Sequence, residues 1–284
     1  MKTIICPTDF SKVSDQAIEY ASEIGNDFKS AITILHIYEA PSLYSDLPME
    51  AVRNQEEEYK TKAHAKLSEL VLKLKEKYKD VTYETLLIEG EKQHEISSFA
   101  RKRDADLLVI GKTSESKIRR LLLGSTAASI IAKAECPVLC IPPESEFKGI
   151  KKIVFATDLH EDNINSALSI TSFAAHFEAE IIFVFVDDEH MIHSDEKITE
   201  MTQKIKNRIK YPKLSGYISK STSVSEGIEY FLAKNKADLL VMFTHSRHFP
   251  GSLFNQSVTK ITSYKTKIPL LALKISESPI MDKF

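Results

Sequence analysis

The sequence predicts an α/β protein of two tandem, doubly wound domains, each a five-stranded parallel sheet covered by helices. Three observations carry this expectation. First, the chain repeats itself. "TIICPTDFS" from Thr3 returns as "KIVFATDLH" from Lys152, and "AITILHIYE" from Ala31 as "EIIFVFVDD" from Glu180. "ADLLVIGKTS" from Ala105 then returns as "ADLLVMFTHS" from Ala237, and "CPVLCIPP" from Cys136 as "IPLLALKI" from Ile268. Four blocks in one order describe one unit used twice. Second, the apolar runs are short, rich in Ile, Val and Leu, and lack strict polar alternation, as strands buried on both faces do. Third, longer segments of helical period separate those runs. The 284 residues suffice for two domains. "PPESEFKG", Pro142 to Gly149, reads as a linker between domains 1–144 and 150–284.

In the first half the strands are expected at Thr3–Pro7, Ala31–Tyr38, Thr82–Ile88, Leu107–Gly111 and Val138–Ile141. The helices between them are expected at Ser14–Phe28, Met49–Lys79, Glu91–Arg103 and Ser125–Ala134. Ala17, Ala21 and Ile24 share a face of the first helix and let it pack closely on the sheet. The second helix is long and heavily charged, with Leu67, Leu70, Val71 and Leu74 as a single stripe, which describes a solvated outer helix. Asp106 and Asp238 precede the fourth strand of each half and suit a turn or cap. His36, between apolar neighbours in the second strand, is expected to be a hydrogen-bonded core histidine.

Composition excludes several classes. Charged residues make up 27% and balance to a net charge of -2, so no basic excess argues for nucleic acid. No stretch approaches the 18–20 apolar residues of a membrane span, and "KTIICPTDF" after Met1 is too short for a signal h-region; a cytoplasmic address is expected. Cys6, Cys136 and Cys140 lie in apolar runs and fit reduced core thiols. "PTDFSKVSDQA" after the first strand has no glycine, so neither the dinucleotide turn nor the P-loop is present. The pairs His245 with His248 and His190 with His193 are read as surface residues rather than metal ligands.

Candidate chemistry concentrates in "GKTSESKIRRLLLGSTAAS" from Gly111, a basic loop that follows the fourth strand and feeds the fourth helix. Ligands of doubly wound sheets bind at the carboxyl ends of the strands, where the winding reverses. There, Gly124, Ser125 and Thr126 would present unpaired N–H groups to an anion, with Lys112, Lys117, Arg119 and Arg120 adding charge. The bland alternative is an ordinary N-cap on a solvated loop.

With these motifs the chain resembles the universal stress protein family in its tandem form. Gly111, Ser114, Gly124 and Ser125 follow that family's G-x2-G-x9-G-[ST] spacing with serine at the second glycine, and "PTDFS", "ILHIYE", "ADLLVIG" and "CPVLCIP" support the match. The resemblance implies an adenine nucleotide alpha hydrolase-like fold that binds ATP, ADP or AMP, with or without Mg or Mn. Pro7, Thr8, Asp9 and the Ile37 backbone would hold the nucleoside, while Gly111, Lys112, Ser114, Gly124, Ser125 and Thr126 would form the phosphate side. It also implies that the last strands, "PVLCI" and "PLLAL", pair antiparallel, making the monomer a pseudo-dimer, with further homodimerisation left open.

In the second half Phe243, Ser246, Gln256 and Ser257 stand for Gly111, Ser114, Gly124 and Ser125, which argues for one competent site per chain. No residue set for aligning an attacking oxygen is legible, so a nucleotide-binding regulatory protein in the stress response is favoured over an enzyme. The alternatives are weak ATP hydrolysis or autophosphorylation, and an interaction module that needs no nucleotide.

Overall fold

The computed structural model describes residues 1–39, 48–112, 125–157, 170–187, 194–209, 211–244 and 267–274. The first half runs β1 (Thr3–Thr8), α1 (Lys12–Phe28), β2 (Ala31–Tyr38), α2 (Met49–Lys77), β3 (Thr82–Glu89), α3 (Lys92–Lys102), β4 (Leu107–Gly111), α4 (Ser125–Lys133) and β5 (Val138–Ile141). The second continues with β6 (Lys152–Ala156), helical residues 170–176 (α5), β7 (Glu180–Asp187), α6 (Ser194–Ile209), β8 (Leu214–Lys220), α7 (Val224–Asn235), β9 (Leu239–Thr244) and β10 (Leu270–Lys274). Every expected strand and helix of the first half is present within two residues at each end. The first helix starts earlier than its apolar spacing indicates because Ser11 caps it, accepting a hydrogen bond from Ser14 N at 3.2 Å.

All ten strands form one sheet in the order β3-β2-β1-β4-β5-β10-β9-β6-β7-β8. Each half thus repeats the order 3-2-1-4-5, and the halves meet at their fifth strands. Pairing is parallel within each half and antiparallel at the seam, where Leu271 faces Leu139 and Leu270 faces Cys140. The expected edge-to-edge pairing is therefore present, and it gives the backbone groups of two short apolar edges their partners.

Alternating strand residues feed two cores, one on each face. The first joins Ile4, Cys6, Ile32 and Ile34 to α1 and α2, and continues across the seam through Leu139 and Leu271 to Phe155, Phe173 and α6. The second joins Ile5, Leu35 and Ile37 to α3 and α4, and continues through Val138 and Ala272 to α7. Leu67 and Leu74 are the buried stripe of α2, while the rest of that helix is largely exposed and crossed by ion pairs such as Lys73–Glu69 at 2.7 Å. All three cysteines are buried and none forms a disulfide.

The repeat extends to single atoms. Asp106 Oδ2 accepts from Lys2 N and Thr3 N at 2.6 and 2.9 Å, and Asp238 Oδ2 accepts from Lys151 N and Lys152 N at 2.8 and 2.9 Å. These carboxylates tie the start of one strand to its neighbour, so they are the structural anchors their position indicated. Among the described residues, no helix is long and apolar enough to cross a membrane.

Candidate functional site

Between β1 and β4 the winding of the first half reverses. β1 pairs with β2 on one side and with β4 on the other. A cleft of about 250 Å³ opens there, at the carboxyl ends of the strands and on the α3/α4 face. Leu35, Ile37, Ile96, Ile110, Ala127 and Ile130 give it an apolar floor and walls. Pro7, Thr8 and Asp9 from the end of β1, with Ser11 and Ser14, form its polar rim; Gly111, Thr126 and Lys92 complete the lining.

The β1–α1 turn is cross-linked by its own short side chains. Thr8 Oγ1 lies 3.0 Å from Ser14 Oγ and accepts from Phe10 N at 3.0 Å, while Asp9 Oδ1 accepts from Ser11 N at 3.0 Å. Burial pushes the Asp9 pKa up, but hydrogen bonds from Ser11 and Ser14 together outweigh it and hold the carboxyl below its ordinary range. Asp9 therefore offers a carboxylate to the cleft at neutral pH.

Two helices begin at this cleft, and they differ. The α3 terminus is already occupied: the Glu91 carboxylate accepts from Gln93 N and His94 N at 3.0 and 2.8 Å. The first turn of α4 carries no acidic residue, and Ser125 and Thr126 are exposed there. Its positive dipole end faces the cleft through Thr126 and Ala127. An anion is favoured at α4 and disfavoured at α3.

Of the residues singled out from sequence, Pro7, Thr8, Asp9, Ile37, Gly111 and Thr126 come together around this cleft. Ser125 is the first residue of α4 and is not part of the lining. Ser114 and Gly124 lie outside the described residues, as do Lys117, Arg119 and Arg120. Lys112 departs from its expected place. It is only 3% exposed, and desolvation lowers its pKa to about 8 although Cys140 and Glu229 pull the other way. Its ammonium belongs to the seam between the halves rather than to the lining of the cleft.

Gly111 has a packing reason of its own. A Cβ there would come within 2.9 Å of Val13 Cγ1 and of the Val13 carbonyl oxygen, so β4 and the first turn of α1 can approach only across a glycine. The second half confirms that this position looks into the core: Phe243 packs against Phe155, ring centroids 4.7 Å apart. Its bulk packs against the core shared with α5 and α6. The other second-half positions, Ser246, Gln256 and Ser257, lie outside the described residues, together with His190, His193, His245 and His248.

Sequence reasoning missed Lys92 and the apolar walls from α3 and α4. Ile96 and Ile130 read simply as core positions of helical period, and a lysine in a first helical turn gives no signal. Among the described residues, no group of three or more His, Cys, Asp or Glu is placed to hold a metal ion.

Known proteins resemble this chain in both sequence and fold. A model of the universal stress protein family matches residues 1–142. Universal stress protein MJ0531 of Methanocaldococcus jannaschii is 34% identical over 140 residues, 49% of this chain and 81% of that protein. Universal stress protein YxiE of Bacillus subtilis is 27% identical over 143 residues, 47% of this chain and 93% of its own length. The crystal structure of a universal stress protein from Archaeoglobus fulgidus superposes with a TM-score of 0.73 at 14% identity, covering 96% of this chain and 98% of that one. This last likeness places both halves within one known fold.

Proposed function

This chain belongs to the universal stress protein family, and from that premise we propose that its first half, residues 1–144, binds an adenine nucleotide such as ATP in the β1/β4 cleft. The observation that carries the reading is the convergence of an apolar slot, the Asp9 carboxylate and an anion-receptive helix end on one cleft at the winding reversal. The base lies on the Leu35 and Ile37 side, the ribose hydroxyls meet Asp9, and the phosphates rest at the first turn of α4. Gly124, Ser125, Thr126 and Ser114 complete that phosphate side by their place in the motif. Lys112, buried at the seam, is left out of direct contact. Asp9 is the one carboxylate of the described lining, so Mg or Mn would take most of its ligands from the phosphates and water.

The role that follows is regulatory: a domain that senses nucleotide, paired with a second domain, residues 150–284, that packs against it as an internal pseudo-dimer. Three buried thiols outside any disulfide accord with the cytoplasm.

Thr126→Glu tests the phosphate end. A carboxylate in the first turn of α4 suits the helix dipole and leaves the fold intact, but it repels a phosphate. ATP affinity measured by calorimetry should fall about tenfold or more while adenosine affinity holds. Equal ATP affinity would remove the phosphates from α4, and a parent chain that binds no millimolar ATP would end the nucleotide reading.

A further inference from the structure

We infer that Phe10 and His36 form a clamp that holds the β1–α1 turn, and with it the Asp9 carboxylate, ready at the cleft. They are positioning residues, and their effect on affinity rests on the nucleotide reading above. The starting observation is backbone strain. Phe10 has φ 61°, a left-handed conformation that a bulky residue adopts only when its surroundings impose it. It lies between Asp9 and the α1 cap, so whatever holds Phe10 sets the direction of Asp9.

Five contacts do the holding. The Phe10 ring lies against the His36 imidazole with centroids 4.3 Å apart, and Lys66 Nζ sits 5.1 Å from the same ring's centroid. Phe10 N donates to Thr8 Oγ1 at 3.0 Å. His36 Nδ1 lies 2.8 Å from the Thr8 carbonyl oxygen, which can only accept, so Nδ1 carries the proton. Nε2 then accepts from the Tyr59 hydroxyl of α2 at 2.7 Å. Burial lowers the His36 pKa and favours this neutral form, despite the Thr8 bond acting in the opposite sense. His36 alternates with Leu35 and Ile37, which line the cleft, so it works from behind the sheet.

The second half serves as an internal comparison. By the repeat, Phe185 stands for His36 and Thr157 for Thr8. Phe185 is buried but has no donor for the Thr157 carbonyl, and Thr157 Oγ1 turns to Met201 Sδ at 3.8 Å. The half assigned the ligand carries the histidine; the other half has replaced it.

Two variants test the clamp. Phe10→Gly adopts the left-handed turn without strain and loses the ring. His36→Phe keeps a ring beneath Phe10, using the residue type that the second half carries at this position, and loses the Nδ1–H. In each ligand-free chain the Ser11 amide should exchange with solvent about tenfold faster while the melting temperature stays near the parent's, and ATP affinity should fall about tenfold, as expected when a turn must be ordered on binding. Unchanged Ser11 exchange in both variants overturns the clamp whether or not ATP binds. Faster exchange with parental ATP affinity overturns its part in binding. A parent chain that binds no ATP overturns the nucleotide reading, and the exchange result then decides the clamp by itself.

Discussion

Burial holds Lys112 at a pKa of about 8, against 10.5 for the free side chain, because its ammonium is desolvated where β5 meets the second half. The sign of the consequence follows from linkage. A lysine whose folded pKa is depressed binds its proton more tightly when unfolded, so folding is opposed below about pH 8 and that opposition fades as pH rises to 10.5. The difference is roughly 3 kcal/mol. Lys112→Met should therefore be the more stable chain relative to the parent at pH 7, with an advantage that shrinks by that amount between pH 8 and 10.5; urea unfolding across this range measures it. Sequence placed Lys112 among loop cations because a lysine beside other basic residues reads as solvated. Only the path of the chain shows that its N–H joins Ile141 O at 2.7 Å and carries the side chain inward.

At the level of elements, a cap and a glycine together let the first turn of α1 meet the end of β4. Ser11 starts the helix, and Gly111 ends the strand against the Val13 backbone. Gly111→Ala must push these elements apart and should cost about 1–3 kcal/mol of stability in the absence of nucleotide, read from chemical denaturation. Parental stability would leave Gly111 with no packing role. The position was legible as special, since a glycine at a strand end after "LLVI" breaks the apolar run. Its reason was not legible: sequence offers ligand approach and helix approach as equal grounds for glycine, and the Val13 contact supplies the second.

For the whole molecule, the seam makes the two halves one sheet and joins their cores on both faces. Leu271 and Leu139 are register partners at its centre, 1% and 2% exposed. Lys274 Nζ adds a bond to Ala134 O at 3.2 Å, at the carboxyl end of α4. An aromatic group covers the joint, with Phe28 of α1 stacked 3.8 Å from His176 and the linker's Phe147 edge-on to Tyr20 at 5.1 Å. Leu271→Glu would place a carboxylate in this core and should cost about 3 kcal/mol or more. Melting and sedimentation like the parent's would mean that the halves do not depend on this pair.

The sequence by itself determined the element order of the first half, the duplication and the neighbourhood of the cleft, while the antiparallel meeting of the fifth strands was implied by the family resemblance and is present in the sheet. The first three depend on short-range pattern: apolar runs, helical period, and blocks that recur in one order. Only the tertiary structure decided which cations the fold encloses, which of two helix ends can receive an anion, and why Gly111 and Phe10 occupy their places. Those outcomes depend on groups far apart in the chain, such as Lys112 with Glu229 or Phe10 with His36. Desolvation and steric contact act on what is adjacent in space, and a linear pattern does not record that adjacency.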